Sequence, residues 1–208
     1  MEIGEHAGRY TSCYSSMTDT PVHGSKPRAG PPRYRHGGGR CTFAPMNEST
    51  IRGHFAEDVE RMFALVTDPE FLRRRAEALG EKDVGVAIDR SGPQLKIQIT
   101  REVEQNLPSF MKKIFSGRQR LIDRQVWSQK GDAHVSDWTV QLGDGKRIQL
   151  SGRLTLAPGA AGGCDYIEAF SASASIPLVG GRVEKYVLGQ TEESIRKQLE
   201  FTRKELGG

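Results

Sequence analysis

No run of about eighteen apolar residues occurs in the 208 residues, so no segment is suited to cross a bilayer as a helix. The opening MEIGEHAGRYTSCYSS also lacks the apolar centre of a secretory signal. Cysteine is scarce: Cys13, Cys41 and Cys164 form no CxxC pair and have no histidine at metal spacing. They read as incidental thiols of a reduced, cytoplasmic protein. After residue 45 only His54 and His134 remain, on separate predicted strands, too few to ligate a metal. They read as surface or hydrogen-bonded side chains. GxxxxGK[ST], HExxH and GxSxG are all missing, so phosphate-loop, zinc-protease and hydrolase readings have no starting point. No metal or other cofactor is expected.

Positive charge is lacking where nucleic acid would need it. The chain is +4 overall, but residues 1–45 carry six Lys/Arg against three Asp/Glu, which leaves 24 against 23 in residues 46–208. A nearly neutral body argues against a nucleic-acid partner. Residues 1–45 also hold half of the ten prolines and seven glycines, with Ile3 and Val22 as their branched aliphatics. Too little apolar surface is available there to offset ordering entropy, which predicts a disordered tail. Pro31-Pro32-Arg33-Tyr34 fits a PPxY pattern, of the kind chance often produces in such a segment. A second reading has translation begin at Met46, with the tail no part of the protein.

From residue 46 to 208 the texture is that of one domain. Ser49 to Phe55 alternates like a half-buried strand. Two short helices follow, one from Glu57 to Val66 and one begun by Asp68-Pro69 and ended by Gly80. Six strands come next: around Val84–Ile88, Leu95–Ile99, Arg120–Ser128, His134–Leu142, Ile148–Leu156 and Tyr166–Ile176. Between the second and third of these lies an apolar loop or short helix, Leu107 to Phe115. Gly152 interrupts the fifth where a strongly curved sheet needs a kink. A long amphipathic helix, about Val179 to Leu206, ends the chain with one stripe from Val183 to Leu206.

This order predicts an α+β helix-grip fold: β-α-α, six more strands, then α, with a curved seven-stranded antiparallel sheet around the last helix. Gly180-Gly181 is expected to supply the reversal that drops the helix onto the sheet. The helix-facing set of the last strand becomes Tyr166, Glu168, Phe170, Ala172, Ala174 and Ile176, and its alanines leave room for a cavity.

Thr67-Asp68-Pro69-Glu70-Phe71-Leu72, Ala78-Leu79-Gly80, Leu107-Pro108-Ser109-Phe110, Trp127 and Ser175-Ile176-Pro177-Leu178-Val179-Gly180-Gly181 with Glu184 occur in this order along the chain. On these residues the domain resembles the START-like superfamily, also called the polyketide-cyclase or lipid-transfer superfamily. It is more narrowly similar to a largely actinobacterial domain family of unknown function within it. The resemblance implies a hydrophobic cavity between sheet and long helix. It brings no established activity or catalytic residue.

Candidate cavity walls are Phe63, Ile97 and Ile99; Phe110, Val126 and Trp127; and Trp138, Leu150, Phe170, Ala174 and Val187. Trp127 and Trp138, on adjacent strands, either face a ring-containing ligand or fill the core themselves. Glu168 is the one acid on the inward face of the last strand; it is either a desolvated general acid or base, or paired with an arginine. Arg124, between Ile122 and Val126, either anchors a ligand carboxylate or lies half-exposed. Leu107 to Phe115 reads as a lid, a surface that transiently touches membranes, or a loop on the sheet rim.

The function expected is non-catalytic carriage or sensing of a hydrophobic small molecule or lipid. The alternatives are a cyclase- or aromatase-like enzyme using Glu168, Arg124 and Tyr166, and a module that grips a partner protein.

Overall fold

Burial alternates along strand β1 (Asn47–Phe55), with Ile51 and Phe55 in the core. The computed structural model describes residues 47–104, 107–112, 115, 117–142 and 147–207. The Gly/Pro-rich segment 1–45, Pro31-Pro32-Arg33-Tyr34, the alternative start Met46, Ile114 and the Gly143-Asp144-Gly145 turn lie outside these residues.

Two capped helices follow β1. The Asp58 carboxylate accepts from the Arg61 N–H at 2.7 Å and starts α1 (Val59–Val66). The Asp68 carboxylate accepts from the Phe71 N–H at 2.7 Å and starts α2 (Pro69–Ala78), with Pro69 in the first turn. In both, a short acidic side chain satisfies a backbone donor that has no partner within the helix. Gly80, at φ +82°, takes the left-handed conformation that ends α2 and releases the chain to the sheet.

Then come β2 (Lys82–Asp89), β3 (Leu95–Glu104), the single turn α3 (Ser109–Lys112), β4 (Arg118–Lys130), β5 (Ala133–Leu142), β6 (Ile148–Pro158) and β7 (Cys164–Ala174). The strands form one antiparallel sheet in the order β1-β7-β6-β5-β4-β3-β2. From β2 to β7 each strand pairs with the next in sequence, whereas β1 pairs with β7. The first two strands therefore sit on opposite edges, and α1 and α2 carry the chain from one edge to the other.

The last helix, α4 (Gly180–Glu205), lays Val183, Val187, Leu188, Ile195, Leu199 and Thr202 against the sheet. The Phe71 and Phe201 rings, 5.7 Å apart, and an Arg74–Glu205 ion pair join α2 to its far end. At its near end Glu184 accepts the Ala174 N–H at 2.8 Å and the Asn47 side-chain amide at 3.0 Å. One helix residue thus ties the end of β7 to the start of β1. This is the helix-grip arrangement, seven antiparallel strands curved about a C-terminal helix. No helix among the described residues is long and apolar enough to cross a membrane.

Two glycines matter through what approaches them. A Cβ on Gly152 would lie 2.5 Å from a Trp138 ring carbon, 2.6 Å from the Ala169 carbonyl oxygen and 2.7 Å from the Phe170 Cβ. Its absence lets both rings lie across β6. A Cβ on Gly180 would lie 2.6 Å from the Ala174 carbonyl oxygen, so this glycine permits α4 to start close against β7. The expected reversal by Gly180-Gly181 needs correction: Leu178 adopts the positive φ, +66°, and nothing lies within 4 Å of a Cβ on Gly181.

Candidate functional site

Side chains do not fill the space between α4 and the concave face of the sheet. A cavity of about 170 Å³ remains, walled by residues of β3 to β7 on one side and α4 on the other. Phe55, Met62 and Val66 close it at the α1 end. Val103, Met111, Phe115, Leu142 and Tyr186 surround it where β3, β4 and β5 meet α3 and the start of α4. Engineered cavities of roughly 150 Å³ hold a benzene molecule, and drug-sized ligands need about 300 Å³ or more. The void thus suits one small ring or a short chain.

Of the expected wall residues, Trp127, Trp138, Leu150 and Val187 line the cavity. The others stand back from it. Phe63 stacks on His134 at 3.8 Å and meets Trp127 edge-on at 5.4 Å. Ile97, Ile99 and Phe170 are buried behind the lining, Phe170 against Trp138 at 6.3 Å, and Ala174 is partly buried at the end of β7. Phe110 packs on Tyr186 at 6.3 Å, beneath the Arg182 guanidinium at 4.6 Å. Val126 alternates with the inward Trp127 along β4 and belongs to the outer face.

The same alternation displaces Arg124. Leu121, Asp123, Gln125 and Trp127 line the cavity, so Arg124 points outward, exposed, its guanidinium 3.5 Å from the Gln141 side-chain amide oxygen. Apolar flanks suggest the wrong face because the inward face of β4 is itself polar here. The Trp127 indole N–H donates to Gln125 at 3.1 Å, and the Gln125 amide donates to Asp123 at 3.4 Å. Asp123 and Glu81 both face Arg101, at 3.7 and 3.0 Å. Burial pushes the Asp123 carboxyl up, against the pull of Arg101.

Tyr166 and Glu168 line the cavity from β7, and the Tyr166 hydroxyl donates to the Glu168 carboxylate. Burial raises the Glu168 pKa to about 7, while Tyr166 and then Arg75 hold it down and Asp123 raises it further. The Trp138 indole N–H, which lies outside hydrogen-bond geometry, also favours the charged form. Burial and the adjacent carboxylate put Tyr166 well above the ordinary phenol range. The result is a protonatable pair facing the cavity.

The apolar segment from Leu107 onward turns inward. Leu107 and Met111 are each 3% exposed, Phe110 and Phe115 are partly buried, and Lys112 faces solvent. Both described histidines are hydrogen-bonded: His54 to Asp165 and His134 to Glu60, each at 2.8 Å. No cluster of metal-ligating side chains occurs among the described residues. Cys164 is buried in the core, and burial pushes its thiol up to about 11, away from reactivity.

Arg75, Glu81, Arg101, Asp123 and Gln125 escaped the sequence reading, as did Gln190, Ser194 and Gln198 on α4. The last three carried a signal: spaced by four, they form a polar row beside the apolar stripe of the helix, and all three line the cavity.

Among curated proteins none matches the chain in sequence. Several solved structures are similar to it. An uncharacterised protein from Rhizobium leguminosarum is 13% identical with a TM-score of 0.48, over 76% of this chain and 95% of its own. A START superfamily protein from Mycobacterium smegmatis is 19% identical with a TM-score of 0.45, over 77% and 98%. A conserved protein from Geobacillus kaustophilus is 13% identical with a TM-score of 0.45, over 77% and 93%. The sequence profile of one family, described as "Protein of unknown function (DUF2505)", matches residues 50–206, and the chain belongs to that family.

Proposed function

We propose that the protein binds a small hydrophobic molecule between the sheet and α4, as a carrier or sensor and without catalysing a reaction. The observation that carries this reading is the cavity of about 170 Å³ under α4, walled by Trp127, Trp138, Leu150, Leu154, Val187 and Ile195. This apolar part of the wall favours an apolar guest because the water displaced from it gains nothing there. Burying roughly 300 Å² of guest surface at about 25 cal/mol per Å² contributes about 7 kcal/mol, against association costs of at least about 4 kcal/mol. Apolar contact alone therefore supports weak binding, and the polar groups of the wall set affinity and selectivity. The size favours a single ring or short chain over a two-chain lipid. The inward-facing Leu107 and Met111 favour α3 as a cover for the cavity over α3 as a membrane-touching surface.

Native mass spectrometry of the purified chain tests the reading. A bound compound of low mass, lost on organic extraction and lost in the cavity-blocking variant Ser194→Phe, is the expected result. A bare chain that takes up no apolar probe of benzene or naphthalene size refutes it.

One observation favours an enzyme instead: Tyr166 and Glu168 present a carboxyl of pKa about 7 to the cavity, suited to move a proton near neutrality. Compounds extracted from wild-type protein and from Glu168→Gln distinguish the readings. Turnover would leave substrate on the variant and product on the wild type; the same compound on both sets this second reading aside.

A further inference from the structure

Resting on that reading of the cavity, we infer that its guest is a small apolar acid, whose carboxylate is held by the Arg75 guanidinium at the α2 end. Arg75 stands in the last turn of α2 and lines the cavity. Among the described residues it makes no hydrogen bond and no ion pair; its one packing partner of note is the Phe71 ring, 5.8 Å from the guanidinium carbon.

The acids around it are already engaged. Glu81 and Asp123 face Arg101, at 3.0 and 3.7 Å, and Glu168 takes the Tyr166 hydroxyl. Arg75 is thus a partly buried cation with its donors unused, an arrangement that costs free energy unless something anionic or strongly accepting meets it. Burial lowers its pKa, while Tyr166, Asp123 and Glu81 raise it from nearby without a hydrogen bond or ion pair to it.

A side pocket of about 20 Å³ adjoins this point, bordered by Arg75, Glu81, Arg101, Asp123 and Gln198. It has room for one water molecule. Across from Arg75 on α4, the Gln198 amide donates to the Ser194 hydroxyl at 3.2 Å, which leaves the hydroxyl hydrogen free to donate toward the cavity. A planar guanidinium fork matches one carboxylate in two parallel hydrogen bonds. A phosphate dianion would bring more charge than this single unpaired cation meets. The rest of the wall, from Trp127 and Trp138 to Val187, accepts the apolar body and limits it to one ring with a short side chain, by comparison with cavities that hold benzene.

Isothermal titration with trans-cinnamate and with cinnamamide, at pH 8 on the full chain, tests this directly. The two probes share shape and ring and differ in charge. On wild-type protein the acid should bind about ten- to a hundredfold tighter than the amide, the range of a hydrogen bond to a charged group. In Arg75→Met the two should bind alike, with the circular dichroism of the wild type. Equal binding, or tighter amide binding, on wild type overturns the assignment of an acid while leaving the cavity reading intact. An acid preference that survives in Arg75→Met overturns the role of Arg75. Binding of neither probe overturns the cavity reading as well. The wild-type comparison needs no variant; should Arg75→Met fail to fold, Arg75→Lys keeps the charge, loses the fork, and should retain only part of the preference.

Discussion

Replacing Glu168 by glutamine keeps the shape of the cavity wall and removes one titrating group, so its effect on stability should depend on pH. The carboxyl is 7% exposed, and burial raises its pKa from the ordinary 4.5 to about 7. Below pH 4.5 folded and unfolded chains both hold the proton, and no penalty arises. Between 4.5 and 7 the folded chain keeps a proton that the unfolded chain has released, so stability falls as pH rises. Above 7 both are ionised, and the buried charge imposes its full cost. At 1.36 kcal/mol per unit, this difference amounts to about 3 kcal/mol. Burial also pushes the Asp123 carboxyl up and gives the fold a pH dependence of its own, so the informative quantity is the difference between wild type and variant. Urea unfolding at pH 4.5, 6 and 8 measures it. The variant should match wild type at pH 4.5 and exceed it by about 3 kcal/mol at pH 8, with most of the change between pH 5 and 7. A difference that stays constant across this range refutes the assignment of a desolvated, inward-facing carboxyl to Glu168.

Gly152→Ala places a methyl against Trp138, the Ala169 carbonyl and Phe170, and should destabilise the fold by about 1–3 kcal/mol in urea titrations; a change within 0.5 kcal/mol contradicts the packing across β6. Asp68→Ala removes the acceptor of the Phe71 N–H and should cost about 1 kcal/mol, while Asp68→Asn should cost less. Leu156→Ala, at a fully buried position of β6, should cost about 2–5 kcal/mol, read as a lowered urea midpoint with an unchanged slope.

The sequence carries the fold more fully than the site. Strand alternation and the stripe of α4 follow from burial on one face, and β7 obeys it: Tyr166, Glu168, Phe170 and Ala172 all turn inward. Cap residues mark the starts of α1 and α2 because an unmet N–H has a local solution. Site residues escape the same logic. On β4 the apolar Ile122 and Val126 flank Arg124 and suggest that this face is inward, yet the cavity is lined by Asp123, Gln125 and Trp127. A polar lining inverts the usual relation between hydrophobicity and burial, so alternation is legible while its direction is not. Arg75 is harder still. It is the third of three consecutive arginines, and only the packing of α2 against the sheet decides that it, unlike Arg73 and Arg74, borders the cavity. The pairing of Arg101 with Glu81 and Asp123 joins three separate segments, and no local pattern encodes it.

A crystal of the protein held under xenon pressure tests the central claim most directly. Xenon occupies apolar voids of this size without needing a polar contact. The account predicts density for it between Trp127, Trp138, Leu150 and Val187, beneath α4. A crystal with no xenon there, and with those side chains closed upon one another, contradicts it.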